Sequence, residues 1–392
     1  MRFARRLDQV PPYLFAELER KIAAKRAEGI DVISLGIGDP DLPTPEAIVE
    51  AAAAAVRDPS THQYPSNQGT PEFREAAEEF YRDRFEVELD PASEVIPVLG
   101  GKEAVGHIAF ACLDPGDICL SPEPGYPPYT SGPVFAGAEV HYLPLTEENG
   151  FQPDFAGIAD EIRDRANLLY LNYPNNPTGA IAGQDVFTRA VELARQHDLI
   201  VVHDNAYSEI TFDGYVAPSF LETAGAKDVG VEIFSLSKGW NMTGWRAGLV
   251  AGNAELVERY RGLKANLDSG LFDTVQRAAV VALTDEREFP RQMSAVYARR
   301  RDLLVDALAQ IGLDVEPPKA TPYFWVRVPE GHTSESFASL VLERANVVVS
   351  PGPGYGPSGE GFVRLSLTVA DERLEEAVRR IESSLRASII QA

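Results

Sequence analysis

The stretch Val231-Glu232-Ile233-Phe234-Ser235-Leu236-Ser237-Lys238-Gly239-Trp240-Asn241-Met242-Thr243-Gly244-Trp245-Arg246 sets a lysine at the end of an apolar run and an arginine eight residues beyond it. Val231, Ile233 and Phe234 predict a strand over 231–236, with the small hydroxyl residues Ser235 and Ser237 beside the lysine. A lysine amine attacks aldehydes once it has lost its proton, and a guanidinium grips phosphate in a fork. The stretch therefore suits one ligand that carries both groups, held where a strand ends.

Working outward, further candidate strands cover 95–99, 118–121, 139–143, 168–172, 199–203 and 247–251, with helical patterns between them, as at 102–112 and 186–197. Strands alternating with helices predict an α/β fold: a mostly parallel, seven-stranded sheet covered on both faces. Ligands of such sheets bind at the carboxyl ends of the strands. Upstream, 14–28 predicts an amphipathic helix with Leu18, Ile22 and Ala23 on one face. A strand at 31–35 follows, then a helix at 46–56, opened by Pro45 and capped by Thr44. Downstream, a long helix at 291–311 leads to strands at 323–328, 347–350 and 362–367, a helix near 334–345 and a last helix from Asp371. The expected organisation is a large ligand-binding domain at 46–285 and a smaller α+β domain at 286–392, to which the segment 1–45 belongs.

The chain has 392 residues, 44% of them hydrophobic, enough for two domains with sizeable cores. A formal net charge of −23 argues against a nucleic-acid partner, because nothing offsets repulsion from phosphate. It argues equally against an anionic membrane surface. No run of about 18 apolar residues predicts a membrane span. The basic residues at 1–6 are followed by no apolar region, so no signal peptide is expected. The two cysteines, Cys112 and Cys119, form no C-x-x-C pair and point to a reducing cytoplasm. The six histidines are scattered without ligand spacing, so no metal is expected, and no G-x-S-x-G elbow supports a serine nucleophile.

An aldehyde that also carries a phosphate describes pyridoxal 5'-phosphate, and that ligand makes further demands on the chain. Gly100-Gly101-Lys102-Glu103-Ala104 follows a strand and opens a helix, so a phosphate can dock on that helix N-terminus. A glycine pair alone is most often only a turn; its place between strand and helix gives it weight. The pyridine nitrogen needs a carboxylate to remain protonated, and Asp204 stands at the end of the 199–203 run. Tyr207, three residues on, offers a phenol to the ring oxygen O3'. Asn176, in Asn175-Asn176-Pro177-Thr178-Gly179, offers a second donor, although these residues also favour a turn in their own right. Tyr126, in Glu123-Pro124-Gly125-Tyr126-Pro127, can cover the ring face. Arg364, in Phe362-Val363-Arg364-Leu365-Ser366, alternates with apolar neighbours; a half-buried arginine is costly unless paired, and a substrate α-carboxylate is a suitable partner.

With these residues in this order, the chain resembles the class I/II aminotransferases of fold type I, over residues 33 to 367. The string S-L-S-K-x-x-N-M-T-G-W-R-x-G carries most of the likeness, with N-N-P-T-G, D-N-A-Y and F-V-R-L-S beside it. The resemblance implies Lys238 as the Schiff-base lysine and Asp204 as partner of the ring nitrogen. It implies Asn176 and Tyr207 at O3' and Tyr126 against the ring. Gly100, Gly101, Lys102, Ser235, Ser237 and Arg246 would hold the phosphate. Arg364, Asn176 and the Gly38 backbone would bind the α-carboxylate. Tyr64 matches a tyrosine that reaches the phosphate of a neighbouring subunit, so a homodimer with shared sites is implied.

Within the family, Gly36-Ile37-Gly38-Asp39-Pro40-Asp41-Leu42-Pro43-Thr44-Pro45 and Pro124-Gly125-Tyr126-Pro127-Pro128-Tyr129 resemble LL-diaminopimelate aminotransferases and their broadly specific relatives. Gly100-Gly101 departs from the Gly-Ser usual in that group, which removes one hydroxyl and leaves the backbone donors. The implied activity is transfer of an amino group from an L-amino acid to a 2-oxo acid, with 2-oxoglutarate as acceptor. Two alternatives share parts of this pattern. A C–S β-lyase would release pyruvate from cystathionine without any acceptor. A ligand-sensing module would need an appended basic segment, and this acidic chain shows none.

Overall fold

The computed structural model describes residues 3–10 and 14–389; Met1 and Arg2 of the basic start lie outside them. Its strands are, in chain order, β1 Ile33–Ser34, β2 Val95–Val98, β3 Ile118–Glu123, β4 Glu139–Pro144, β5 Ala166–Leu171, β6 Ile200–Asn205, β7 Gly230–Ser235, β8 Gly248–Gly252, β9 Tyr323–Arg327, β10 Val347–Val348, β11 Ser350–Pro351 and β12 Phe362–Ser366. Seven of them make one sheet in the order β2-β8-β7-β6-β5-β3-β4. β8 runs antiparallel to both its neighbours, and the other contacts are parallel. Each strand expected at 95–251 is present, shifted by no more than about two residues, the usual scatter of strand ends.

Burial explains the composition of these strands. Leu168, Leu169, Tyr170 and Leu171 on β5 are all buried, as are Val231, Ile233 and Phe234 on β7. A strand covered on both faces reads as a continuous apolar run, not as an alternation. Helices Pro71–Phe85, Gln184–His197 and Asp273–Leu283 supply Phe73, Phe80, Phe187 and Ala279 to one face. Helices Gly101–Cys112 and Ala254–Leu267 supply Val105, Ile108 and Tyr260 to the other. A separate core lies around the three-stranded sheet β11-β12-β9, where Leu304, Phe324, Val341, Val363 and Leu374 meet. β1 joins this part of the molecule by pairing parallel with β10, Ile33 opposite Val347.

Four local expectations change. Thr44 does not cap the helix Glu46–Ala55; Pro45 holds the capping position without a side-chain bond. The Thr44 hydroxyl instead donates to Asn241 O at 2.7 Å and accepts from Trp245 Nε1 at 3.0 Å, which ties this segment to the turn after Lys238. The strand expected at 347–350 is two, because Val347 and Val348 pair with β1 while Ser350 and Pro351 pair with β12. Ala23 is exposed, so among the described side chains of the helix Leu14–Ala27 the buried ones are Leu18 and Ile22. The strand expected at 31–35 shortens to Ile33–Ser34, the residues that find a partner. Among the described residues no helix is long and apolar enough to cross a membrane.

Candidate active site

The segments that follow β3, β5, β6 and β7 converge with the N-terminus of helix Gly101–Cys112 on a cleft of about 490 Å³. Lys238 sits in the short helix Leu236–Gly239, whose first turn is closed by Ser235 accepting from Ser237 N at 3.2 Å. Its Nζ donates to Gly38 O at 2.5 Å. Gly38 has no room for a side chain: a Cβ there would run into the Tyr323 hydroxyl. Arg246 adopts φ 56° and donates from Nη1 to Thr243 O at 2.8 Å. Gly100, at φ +81°, lets the backbone come so close that a Cβ would fall on the Arg246 guanidinium. A helix N-terminus, a guanidinium and the Ser235 and Ser237 hydroxyls thus share one corner, a donor set suited to phosphate.

Asp204 closes β6 and is only 6% exposed. Its Oδ2 accepts from the Tyr129 hydroxyl at 2.7 Å, and its backbone carbonyl accepts from Asn172 Nδ2 at 2.8 Å. Its Oδ1 is buried and has no hydrogen-bond partner. Burial pushes the carboxyl up to about 6, against the Tyr129 hydrogen bond and the charge of His203, which both favour the ionised form. A buried acceptor without a donor is costly, and a protonated ring nitrogen supplies the missing donor. Tyr207 is buried beside it, and its hydroxyl lies 3.1 Å from that of Tyr323.

Arg364, on β12, is 1% exposed. It donates from Nη1 to Asn176 Oδ1 at 2.7 Å and from Nη2 to Gly36 O at 2.8 Å. Its guanidinium lies 4.1 Å from the Tyr323 ring centroid and 4.9 Å from that of Tyr355. Asn176 is fixed in turn by its N–H donating to Asn172 Oδ1 at 2.8 Å. The guanidinium is therefore aimed by two carbonyl oxygens and two aromatic faces before any substrate arrives.

Of the residues expected from sequence, Gly38, Gly101, Lys102, Tyr126, Asn176, Asp204, Tyr207, Ser235, Ser237, Lys238, Arg246 and Arg364 line this cleft. Gly100 lies against Arg246. Tyr64 does not line the cleft of its own chain; it is 91% exposed. Sequence reasoning missed Tyr129 and Tyr323. Tyr129 stands in the first turn of the helix Pro128–Ala136 and ends the string Pro124-Gly125-Tyr126-Pro127-Pro128-Tyr129, and that string was its available signal. Glu103, His107 and Asp268 also come together, but Lys264 Nζ sits among them, 2.9 Å from Asp268 and 3.3 Å from Glu103. The acids there already have a buried cation.

The residues fit pyridoxal phosphate on this geometry: a phosphate corner, an orphaned carboxylate oxygen and an amine share one cleft. Comparison with known proteins agrees. The model for aminotransferase class I and II matches residues 30–381. The chain is 52% identical to an LL-diaminopimelate aminotransferase of Dehalococcoides mccartyi, over 97% of this chain and 98% of that protein. It is also 52% identical to the LL-diaminopimelate aminotransferase of Desulforudis audaxviator, over 97% of each. Among solved structures, substrate-bound BacF from Bacillus subtilis superposes with a TM-score of 0.94 at 38% identity, over 98% of each chain. A probable N-succinyldiaminopimelate aminotransferase from Thermus thermophilus gives 0.89 at 37% identity, over 95% of this chain and all of that one. The chain belongs to the class I and II aminotransferases, fold type I enzymes that depend on pyridoxal phosphate.

Proposed function

We propose that this aminotransferase takes its amino group from LL-diaminopimelate and passes it to 2-oxoglutarate, with Lys238 as the residue that carries the cofactor and moves the proton. The observation that carries the residue assignments is the meeting of the Lys238 amine, the unpartnered Asp204 Oδ1 and the Arg364 guanidinium in one cleft. The donor assignment is supported by full-length similarity to LL-diaminopimelate aminotransferases of several bacteria.

Pyridoxal phosphate supplies the aldehyde that takes up the amino group and the cationic ring that spreads the charge left at the donor's Cα. The chain's own residues do the rest. Gly100, Gly101, Lys102, Ser235, Ser237 and Arg246 would hold the phosphate. Asp204 would accept a hydrogen bond from the ring nitrogen and so keep it protonated, Tyr207 and Asn176 would donate to O3', and Tyr126 would cover one ring face. Arg364 grips the donor's α-carboxylate with help from Asn176 and the Gly38 backbone, which fixes Cα relative to Lys238. Lys238 Nζ removes the Cα proton in the first half of the cycle and returns one to Cα in the second.

Our reading includes a homodimer in which the partner subunit's Tyr64 completes the phosphate site, supported by the almost complete exposure of that large aromatic side chain. It includes a cytoplasmic setting, supported by the two buried free thiols Cys112 and Cys119. The division into a large domain at 46–285 and a small one at 1–45 and 286–392 is also our reading, supported by the pairing of β1 with β10.

The test is a panel of amino donors supplied with 2-oxoglutarate, following glutamate. LL-diaminopimelate is expected to give the highest kcat/KM. A donor preferred over it by ten-fold or more would overturn the donor assignment. Borohydride reduction of the cofactor-loaded protein should trap an adduct on Lys238; an adduct elsewhere would overturn the lysine assignment.

A further inference from the structure

The two oxygens of Asp204 have unlike surroundings: Oδ2 accepts from Tyr129, while Oδ1 is buried without a partner. Among the described residues, Tyr129 alone donates to this carboxylate. Tyr129 is itself buried and lines the cleft. Its ring stacks on Tyr170, with centroids 5.2 Å apart and planes 26° apart, and stands edge-on to Tyr126 at 5.9 Å. Tyr170 is anchored in turn, its hydroxyl donating to Val105 O at 2.7 Å in the helix that opens at Gly101. The Tyr129 hydroxyl therefore cannot swing away without breaking the stack.

We propose that Tyr129 is a positioning residue for the cofactor: its hydroxyl holds Oδ2, keeps Asp204 ionised at neutral pH and leaves Oδ1 as the acceptor offered to the ring nitrogen. This rests on the reading of Asp204 as the nitrogen's partner. The other groups around the carboxylate do not substitute for it. Tyr170 and Tyr207 are phenols that burial keeps neutral, and they make no hydrogen bond to it. His203 favours its charge, but Glu232 opposes it. Lys238 and Arg364 line the same cleft; Lys238 donates to Gly38 O, and Arg364 donates to Asn176 Oδ1 and Gly36 O. Burial already raises Asp204 to about 6, so loss of one charge-assisted hydrogen bond would carry it into the neutral range.

The experiment measures the dissociation constant of pyridoxamine 5'-phosphate, which binds without an imine to Lys238, by calorimetric titration. The proteins are wild type, Tyr129→Phe, Asp204→Asn and the double variant, each near pH 6 and in mildly alkaline buffer. Phenylalanine keeps the ring stack, and a thermal melt checks the fold. Tyr129→Phe is expected to bind about ten-fold more weakly near pH 6 and to approach wild type in alkali, where both carboxylates are ionised. On the Asp204→Asn background the same change should add nothing, since no charge remains to be held. Equal weakening at both pH values, or a full further loss on the Asp204→Asn background, would overturn the proposal and leave Tyr129 as packing. Wild-type binding by Asp204→Asn would instead overturn the reading of Asp204 itself, whatever Tyr129→Phe does.

Discussion

The hydroxyls of Tyr207 and Tyr323 lie 3.1 Å apart, and their rings meet edge to face with centroids 5.5 Å apart. Tyr207 follows β6 of the large sheet, while Tyr323 opens β9 of the small one. Burial opposes ionisation of Tyr323, but Lys238, Arg364 and the bond to Tyr207 outweigh it and hold the phenol below its ordinary value. Tyr323→Phe removes the partner that orients Tyr207 and keeps the ring under Arg364. Steady-state kinetics should show kcat down roughly five- to ten-fold.

Asp204 is a destabilising residue in the cofactor-free protein. Its folded carboxyl is raised from 3.8 to about 6, so between those values the folded chain holds more protons than the unfolded one. Stability therefore falls as pH rises through that window, and the cost is complete above it. Asp204→Asn should stabilise the apoprotein by about 3 kcal/mol at neutral pH, with the gain shrinking to nothing near pH 4. Denaturant titrations across pH check this. The same variant should lose most of its turnover.

Arg364 makes two hydrogen bonds to fixed oxygens and stacks on two rings, a geometry that a lysine cannot reproduce. Arg364→Lys is expected to raise the donor KM about a hundred-fold for carboxylate-bearing substrates. Donor titrations read this directly. An amine without an α-carboxylate should be nearly indifferent to the change.

Glu232 lies under the same strand ends, fully buried, and accepts from Tyr81, Asn205, His203, Ser219 and the Phe220 N–H at 2.8–3.0 Å. Burial opposes its charge, yet His203, Asn205 and Tyr81 outweigh burial and hold it below its ordinary value. Removing it strands all of these donors, His203 Nδ1 among them, in a fully buried site. Glu232→Ala should cost about 3–5 kcal/mol in denaturant unfolding.

The large sheet was legible because strands buried on both faces announce themselves as apolar runs, as at Leu168–Leu171. That Lys238, Asp204, Asn176 and Arg364 would meet in one cleft was legible because each stands in a short string just after or within such a run. Thr44 was misread because its true partners, Asn241 and Trp245, are about 200 residues away, and a local capping rule cannot see them. Tyr129 and Tyr323 were missed for the same reason. Their meaning lies in the hydroxyl contacts to Asp204 and Tyr207, 75 and 116 residues distant. The break within 347–351 was hidden because one extended segment changes partner between two sheets, and side-chain pattern does not record that.

Arg364 Nη2 and Gly36 O are joined across 328 residues of chain. If Lys238, the phosphate corner and Arg364 act as we propose, a polypeptide leaving the ribosome displays the first two long before the third has been synthesised. Such an unfinished chain would have no grip on an acid substrate. Under that proposal turnover waits until residue 364 has cleared the exit tunnel and found a loop made among the first forty residues.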